Sequence, residues 1–107
     1  MTFINKQQLP VNYRNVLTAN PPMTYLATGV SGMALPANND RVGLLLVNLS
    51  DKDNIYLGIG YPAEVNSGVT LLPQIGWKMD EFTFCVDAIY AITDGDSVNM
   101  SIQEFVQ

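Results

Sequence analysis

Arg41-Val42-Gly43-Leu44-Leu45-Leu46-Val47-Asn48-Leu49-Ser50-Asp51-Lys52-Asp53-Asn54-Ile55-Tyr56-Leu57-Gly58-Ile59-Gly60 is the stretch whose reading decides the fold. Gly43 to Leu49 is a nearly unbroken apolar run, long enough for one buried strand. Ser50 to Asn54 is a cluster of turn formers. Ile55, Leu57 and Ile59 then alternate with Tyr56, Gly58 and Gly60, the period of a strand with one buried face. Two such runs around a short polar loop predict a β-hairpin.

Outward from this centre, the same signals repeat. Tyr25 to Leu35 predicts a first strand, with a bulge or bend at Gly29 and Gly32. Pro36 to Asp40 reads as a turn, and Tyr61 to Gly68 as a loop. Val69 to Leu72 is a short strand closed by Pro73. Ile75 to Asp80 places Trp77 and Met79 on one face and Lys78 and Asp80 on the other. Phe82 to Ile92 predicts one or two strands. Thr93-Asp94-Gly95-Asp96 predicts a second tight hairpin turn. Ser97 to Phe105 directs Val98, Met100 and Ile102 inward. The alternation assigns the core to Leu44, Leu46, Ile55, Leu57, Ile59, Val69, Leu71, Trp77, Ile89, Val98, Met100 and Ile102.

No window carries a helical period. Roughly six to eight short strands with turn signals every 8 to 12 residues predict an all-β domain, an antiparallel β-sandwich or jelly roll, over residues 25–107. Residues 1–24 differ: three prolines and frequent Asn and Gln preclude a long helix. Phe3, Ile4, Leu9, Val11, Tyr13, Val16 and Leu17 are more apolar groups than a solvated tail carries, which predicts an extended N-terminal arm packed on the domain or on a neighbouring subunit.

Composition excludes several functions. The 107 residues are enough for one domain, and 48% hydrophobic residues can build its core. Only 14% are charged, against about a quarter in an average domain, so the surface tolerates burial against a partner. A net charge of −5 without a Lys/Arg cluster argues against binding nucleic acid. No apolar run approaches the ~20 residues of a membrane span, and Thr2 to Val11 lacks the apolar centre of a signal peptide. The single Cys85, in the apolar run Phe82 to Val86, reads as a buried free thiol.

Catalytic and metal chemistry find little purchase. Histidine is absent, which removes Ser-His-Asp and Cys-His catalysis and the commonest zinc ligand. The carboxylates fall mostly in turns or at strand ends, and no spacing selects a glycosidase pair. Gly58-Ile59-Gly60-Tyr61-Pro62-Ala63 matches a dinucleotide fingerprint by letter, but no helix follows, so small residues for close approach are the reading. Asp51-Lys52-Asp53-Asn54 and Asp94-Gly95-Asp96 lack the spacing of a calcium loop, though two such turns meeting at one end of a sandwich are a route to a cation. Asn48-Leu49-Ser50 and Asn99-Met100-Ser101 are sequons that fall on strands. Tyr61 and Trp77, with Tyr56 and Tyr90 nearby in the pattern, are candidates for a sugar platform, weighed against a core tryptophan with flanking tyrosines. The expectation is therefore no catalytic residues, no cofactor and no metal.

The order of these pieces carries a resemblance. Leu35-Pro36-Ala37-Asn38-Asn39-Asp40-Arg41 leads into Leu44 to Ser50, then Ile55 to Gly60, Gly68 to Pro73, a strand around Trp77, Ala88 to Ile92 and Val98 to Glu104. Over about residues 33 to 105 this resembles the small β-sandwich proteins of tailed-bacteriophage virions, which decorate capsids or form parts of fibres and spikes. The resemblance is one of strands and turns, without a signature residue. It implies a structural virion protein, made in the host cytoplasm, without catalysis. It further implies a homotrimer or a protein bound at a symmetry axis, with the arm locking onto a neighbour such as the major capsid protein. The competing reading is a carbohydrate-binding sandwich that uses Tyr61 and Trp77.

Overall fold

The computed structural model describes residues 17–107. Among them are nine strands: β1 (Thr18–Ala19), β2 (Met23–Thr28), β3 (Gly32–Leu35), β4 (Arg41–Asn48), β5 (Ile55–Ile59), β6 (Val69–Leu71), β7 (Gly76–Lys78), β8 (Ile89–Thr93) and β9 (Ser97–Val106). They form two antiparallel sheets, and no described residue is helical. Sheet A runs β2-β9-β4-β7, with β1 continuing the β2 edge along β9. Sheet B runs β3-β8-β5-β6.

The pairings nest. β5 pairs with β6, β4 with β7, β3 with β8 and β2 with β9. That is one long hairpin with its tip at residues 60–68. Rolling it up brings β9 beside β4 and β8 beside β5. The eight strands β2 to β9, four in each sheet, make a jelly roll, one of the architectures expected for this pattern, and β1 extends the edge of sheet A.

The roll corrects both local hairpin readings. β4 lies in sheet A and β5 in sheet B, so Ser50 to Asn54 is a corner between sheets. Asp94-Gly95-Asp96 is another such corner, between β8 and β9. A polar turn sequence specifies that the chain reverses, but not which edge it meets afterwards. Here the side chains stabilise the corner itself. Asn48 is fully buried; its Nδ2 donates to the carbonyls of Asp53 and Leu71, and its Oδ1 accepts from the Ser50 amide. Ser50 Oγ accepts from the amides of Lys52 and Asp53. With its amide committed inside the fold, Asn48 is no glycan acceptor.

Three further readings change. Tyr25 to Leu35 is two strands in different sheets, broken at Gly29 to Ser31, where a bend was expected. Phe82 to Asp87 is irregular and strand resumes only at Ile89. Residues 18–24 belong to the sandwich: Thr18 and Ala19 pair with Val106 and Phe105, the Asn20 amide donates to the Glu104 carbonyl, and Met23 pairs with Ile102. Pro21 and Pro22 are tolerated between these pairings because the strand is an edge.

The core lies between the sheets. Of the residues assigned to it by alternation, nine are buried, while Ile59, Val69 and Trp77 are partly buried and pack against it. Ala27, Ala34, Leu35, Met79 and Ala91 complete it. Small residues and the loop-borne Met79 escape a reading based on large alternating side chains. Leu57, 1% exposed, sits in the middle of this layer. Leu57→Ala removes buried methyl groups and leaves a cavity, so it is expected to cost about 2–5 kcal/mol. Thermal melting should register a loss of roughly 10 °C or more; an unchanged melt contradicts the placement of β5.

Candidate functional site

The most organised polar site lies at one end of the roll, where β4 begins and β9 ends. Along β9, Val98, Met100, Ile102 and Glu104 all point inward, since strand side chains alternate. On β4 the inward residues are Leu44, Leu46 and Asn48. Arg41 has the opposite parity, yet only 1% of it is exposed. A bulge supplies the reason: Arg41 pairs with Val106 and Gly43 with Phe105, so two steps on β4 match one on β9. Val42 is the extra residue, and Arg41 takes the inward place that regular pairing gives to position 42.

Arg41 Nε donates to Glu104 Oε2 at 2.7 Å. Nη1 donates to the carbonyls of Asp87 (2.8 Å) and Cys85 (3.3 Å), and Nη2 to that of Pro36 (2.9 Å). Glu104 Oε1 accepts from Asn20 Nδ2 (3.0 Å) and Asn38 Nδ2 (3.1 Å). The Asn38 amide is oriented by its other end, since Oδ1 accepts from the Asp40 amide. One ion pair therefore ties the N-terminal edge, the 36–40 corner, the 79–88 connection and both central strands of sheet A. Desolvating two charges costs several kcal/mol per ion, which is offset only when each lone pair and proton finds a partner. Here Arg41 donates four hydrogen bonds and Glu104 accepts three, and no buried polar side-chain atom among the described residues lacks a hydrogen bond.

The 79–88 connection, which presents Cys85 and Asp87 to Arg41, is shaped by Asp80. Its Oδ1 accepts from the amides of Phe82 and Thr83 and from the Thr83 hydroxyl, which in turn accepts from the Asp80 amide. Donation by the Phe82 amide, then by the Thr83 hydroxyl, holds the exposed Asp80 carboxyl below its ordinary value of 3.8. Cys85 is a partly buried free thiol against the core.

A second feature is the cleft of about 460 Å³ beneath the β5–β6 loop, lined by Tyr61, Pro62, Glu64, Ser67 and the strand backbone around Gly58. The loop doubles back over β5: a Cβ on Gly58 would meet the Tyr61 and Pro62 carbonyl groups. Gly68 has φ +73°, and a Cβ there would collide with the Leu57 carbonyl. Ala63 then anchors the loop by donating its amide to Ser31 Oγ at 2.8 Å. The small residues of the nucleotide-like motif thus admit the chain's own loop.

The sugar-platform pair is not brought together. Trp77 faces inward opposite Leu46 and packs against the core of sheet A. Tyr61 stands 76% exposed in the loop of sheet B. Tyr56 is buried, and its hydroxyl donates to Asp94 Oδ2 while accepting from Asn54 Nδ2. The two acidic turns do meet: Asp53 lies against Gly95, and Thr93 Oγ1 donates to the Asn54 carbonyl. Even so, no three Asp, Glu or Cys side chains converge as metal ligands among the described residues. Of the arm residues, Phe3, Ile4, Leu9, Val11, Tyr13 and Val16 lie outside the described residues. Leu17 is half exposed and lines a groove of about 310 Å³ on sheet A with Val42, Gly43, Leu45, Lys78 and Phe105.

The chain matches no family model, no curated protein and no solved structure.

Two outcomes are expected. Glu104→Ala leaves the Arg41 guanidinium buried and unpaired and should cost about 3–5 kcal/mol, whereas Asn20→Ala removes one bond to a charged acceptor and should cost about 1.5–3 kcal/mol. Denaturant titration checks this; equal losses would mean that the ion pair carries no special weight. In an NMR pH titration, the Asp80 carboxyl should have its midpoint below 3.8. Because the folded pKa is depressed, its contribution is present above the unfolded value and is lost as pH falls through the folded one. A midpoint at or above 3.8 contradicts the Asp80 turn.

Proposed function

We propose that this chain is a non-enzymatic structural protein of a phage virion, a capsid decoration protein or a component associated with a fibre or spike. In this reading it assembles as a homotrimer, and its N-terminal residues fasten it to neighbours such as the major capsid protein. The observation that carries the reading is the strand order, a jelly roll of two antiparallel sheets. That architecture recurs in viral capsid and lectin domains. A fold by itself does not fix a function, so the site must support the same reading. The most organised polar cluster spends its groups on holding strands and corners together, and the low surface charge suits burial in an assembly.

The lectin reading has less support, because Trp77 is turned into the core and leaves Tyr61 alone on the other sheet. An attachment role for the N-terminus also has a mechanical basis. Beyond Leu17, the chain is stitched to β9 through β1, the Asn20 amide and the Asn20–Glu104 hydrogen bond. A pull on the N-terminus is delivered to the central strand of sheet A and to its buried ion pair.

Mass spectrometry of purified virions tests the proposal. The expected result is the intact chain in fixed stoichiometry with the major capsid protein. Its absence from washed particles, with abundance in the soluble lysate, would overturn the virion assignment.

A further inference from the structure

From Asn15 to Asn39 the chain carries no Asp, Glu, Lys or Arg, although the whole protein has ten acidic and five basic residues. The described part of this stretch builds β1, β2, the Gly29–Ser31 corner and β3. β2 is the outer edge of sheet A, and β3 is the outer edge of sheet B. The edges lie on the same flank of the roll: Tyr25 reaches across from β2, so that a Cβ on Gly32 of β3 would meet its hydroxyl. Leu26 (52% exposed), Val30 (75%) and Met33 (51%) project from this flank, and Met23 is also exposed. Glu64 and Asp96 stand at its borders, next to Ala63, which bonds Ser31, and to Ser97, which pairs with Thr28.

The strand edges of the described fold differ in protection. β6 and β7, on the opposite flank, have three residues each, and β7 carries Lys78. β3 has an irregular register between Met33 and Leu35. Short strands, lysines and bulges are devices that blunt an edge against pairing. β2 has none of them: six residues in unbroken register with β9, without charge or proline, its other edge without a strand partner among the described residues.

We propose that this flank, with the β2 edge at its centre, is where a second copy of this chain docks, by strand addition and burial of Leu26, Val30 and Met33. The proposal rests on the homo-oligomer reading above and names its surface. Charge selects the occupant. Two copies of a chain with net charge −5 repel over most of their surface, and the charge-free flank is where they meet without desolvating a carboxylate. The outward N–H and C=O groups of β2, unpaired among the described residues, supply the directional part of the contact.

The experiment is analytical ultracentrifugation of the full chain at tens of micromolar, alongside Leu26→Glu, Met33→Glu and the control Phe82→Glu, with circular dichroism to check folding. Phe82 is 88% exposed in the 79–88 connection, which leaves β7 at the opposite edge of sheet A. The expected result is an oligomeric wild type and control, with self-association weakened at least tenfold by either flank substitution. Thr24→Cys leaves the strand almost undisturbed and should cross-link between copies under mild oxidation, whereas Thr83→Cys should not. An oligomer indifferent to both glutamates and without the Thr24 cross-link overturns the flank assignment and leaves the oligomer reading standing. A monomeric wild type overturns both. If deletion of residues 1–16 turns a monomer into an oligomer, the chain's own N-terminal segment is the occupant, and the proposal is overturned.

Discussion

The fold depends on one buried ion pair, Arg41 with Glu104, and on the bulge at Val42 that makes it possible. Without the extra residue, Arg41 would point away from the core and Glu104 would be a buried carboxylate without its cation. With it, three separated pieces of chain converge on two side chains carried by the central strands of sheet A: Asn20, the Pro36–Asn38 corner and the Cys85–Asp87 segment. Apolar residues of similar volume would fill the same space without a desolvation cost. What they would lack is direction. A leucine that slips by two residues still faces the core, whereas a guanidinium held by four hydrogen bonds to fixed acceptors accepts one register.

Much of this was legible in the sequence, and the failures share a cause. The alternation along β4, β5 and β9 identified most of the core correctly, because a two-residue period leaves little freedom once one face is buried. The inward position of Glu104 was equally readable, since it continues the parity of Val98, Met100 and Ile102, although a carboxylate at a strand end is more often solvated. Arg41 was hidden by the bulge, which shifts parity without a mark in composition. The Ser50–Asn54 and Asp94–Asp96 turns were recognised as reversals but placed within a sheet. In a jelly roll, strands adjacent in sequence mostly lie in opposite sheets, and partners come from distant parts of the chain. Local chemistry fixes the corner, while pairing across the roll fixes the neighbour.

The same logic accounts for residues 18–24. Their prolines and amide side chains read as part of an arm distinct from the domain, yet they run along the edge of sheet A. An edge strand needs pairing on one side only, so it tolerates Pro21 and Pro22 between paired segments. The features that obscured the strand give the flank its character: an uncharged, exposed edge attached directly to the most heavily bonded strand of the molecule. An oligomer formed by pairing of β2 edges would join the central β9 strands of neighbouring subunits through two intervening strands, one from each copy, a short and stiff path for load.

The account stands most directly on whether the ion pair holds one end of the roll as a unit. Amide hydrogen exchange of Glu104→Gln, which keeps the shape and an acceptor but removes the charge, measures this. The account predicts that protection falls together at Asn20, Asn38 and Arg41, whose amides bond Glu104, Val86 and Asn38, and persists at Asn48, Leu49 and Ile75 at the far end, bonded to Ile75, Asn99 and Leu72. Loss confined to Asn20, or an even loss at both ends, would contradict it.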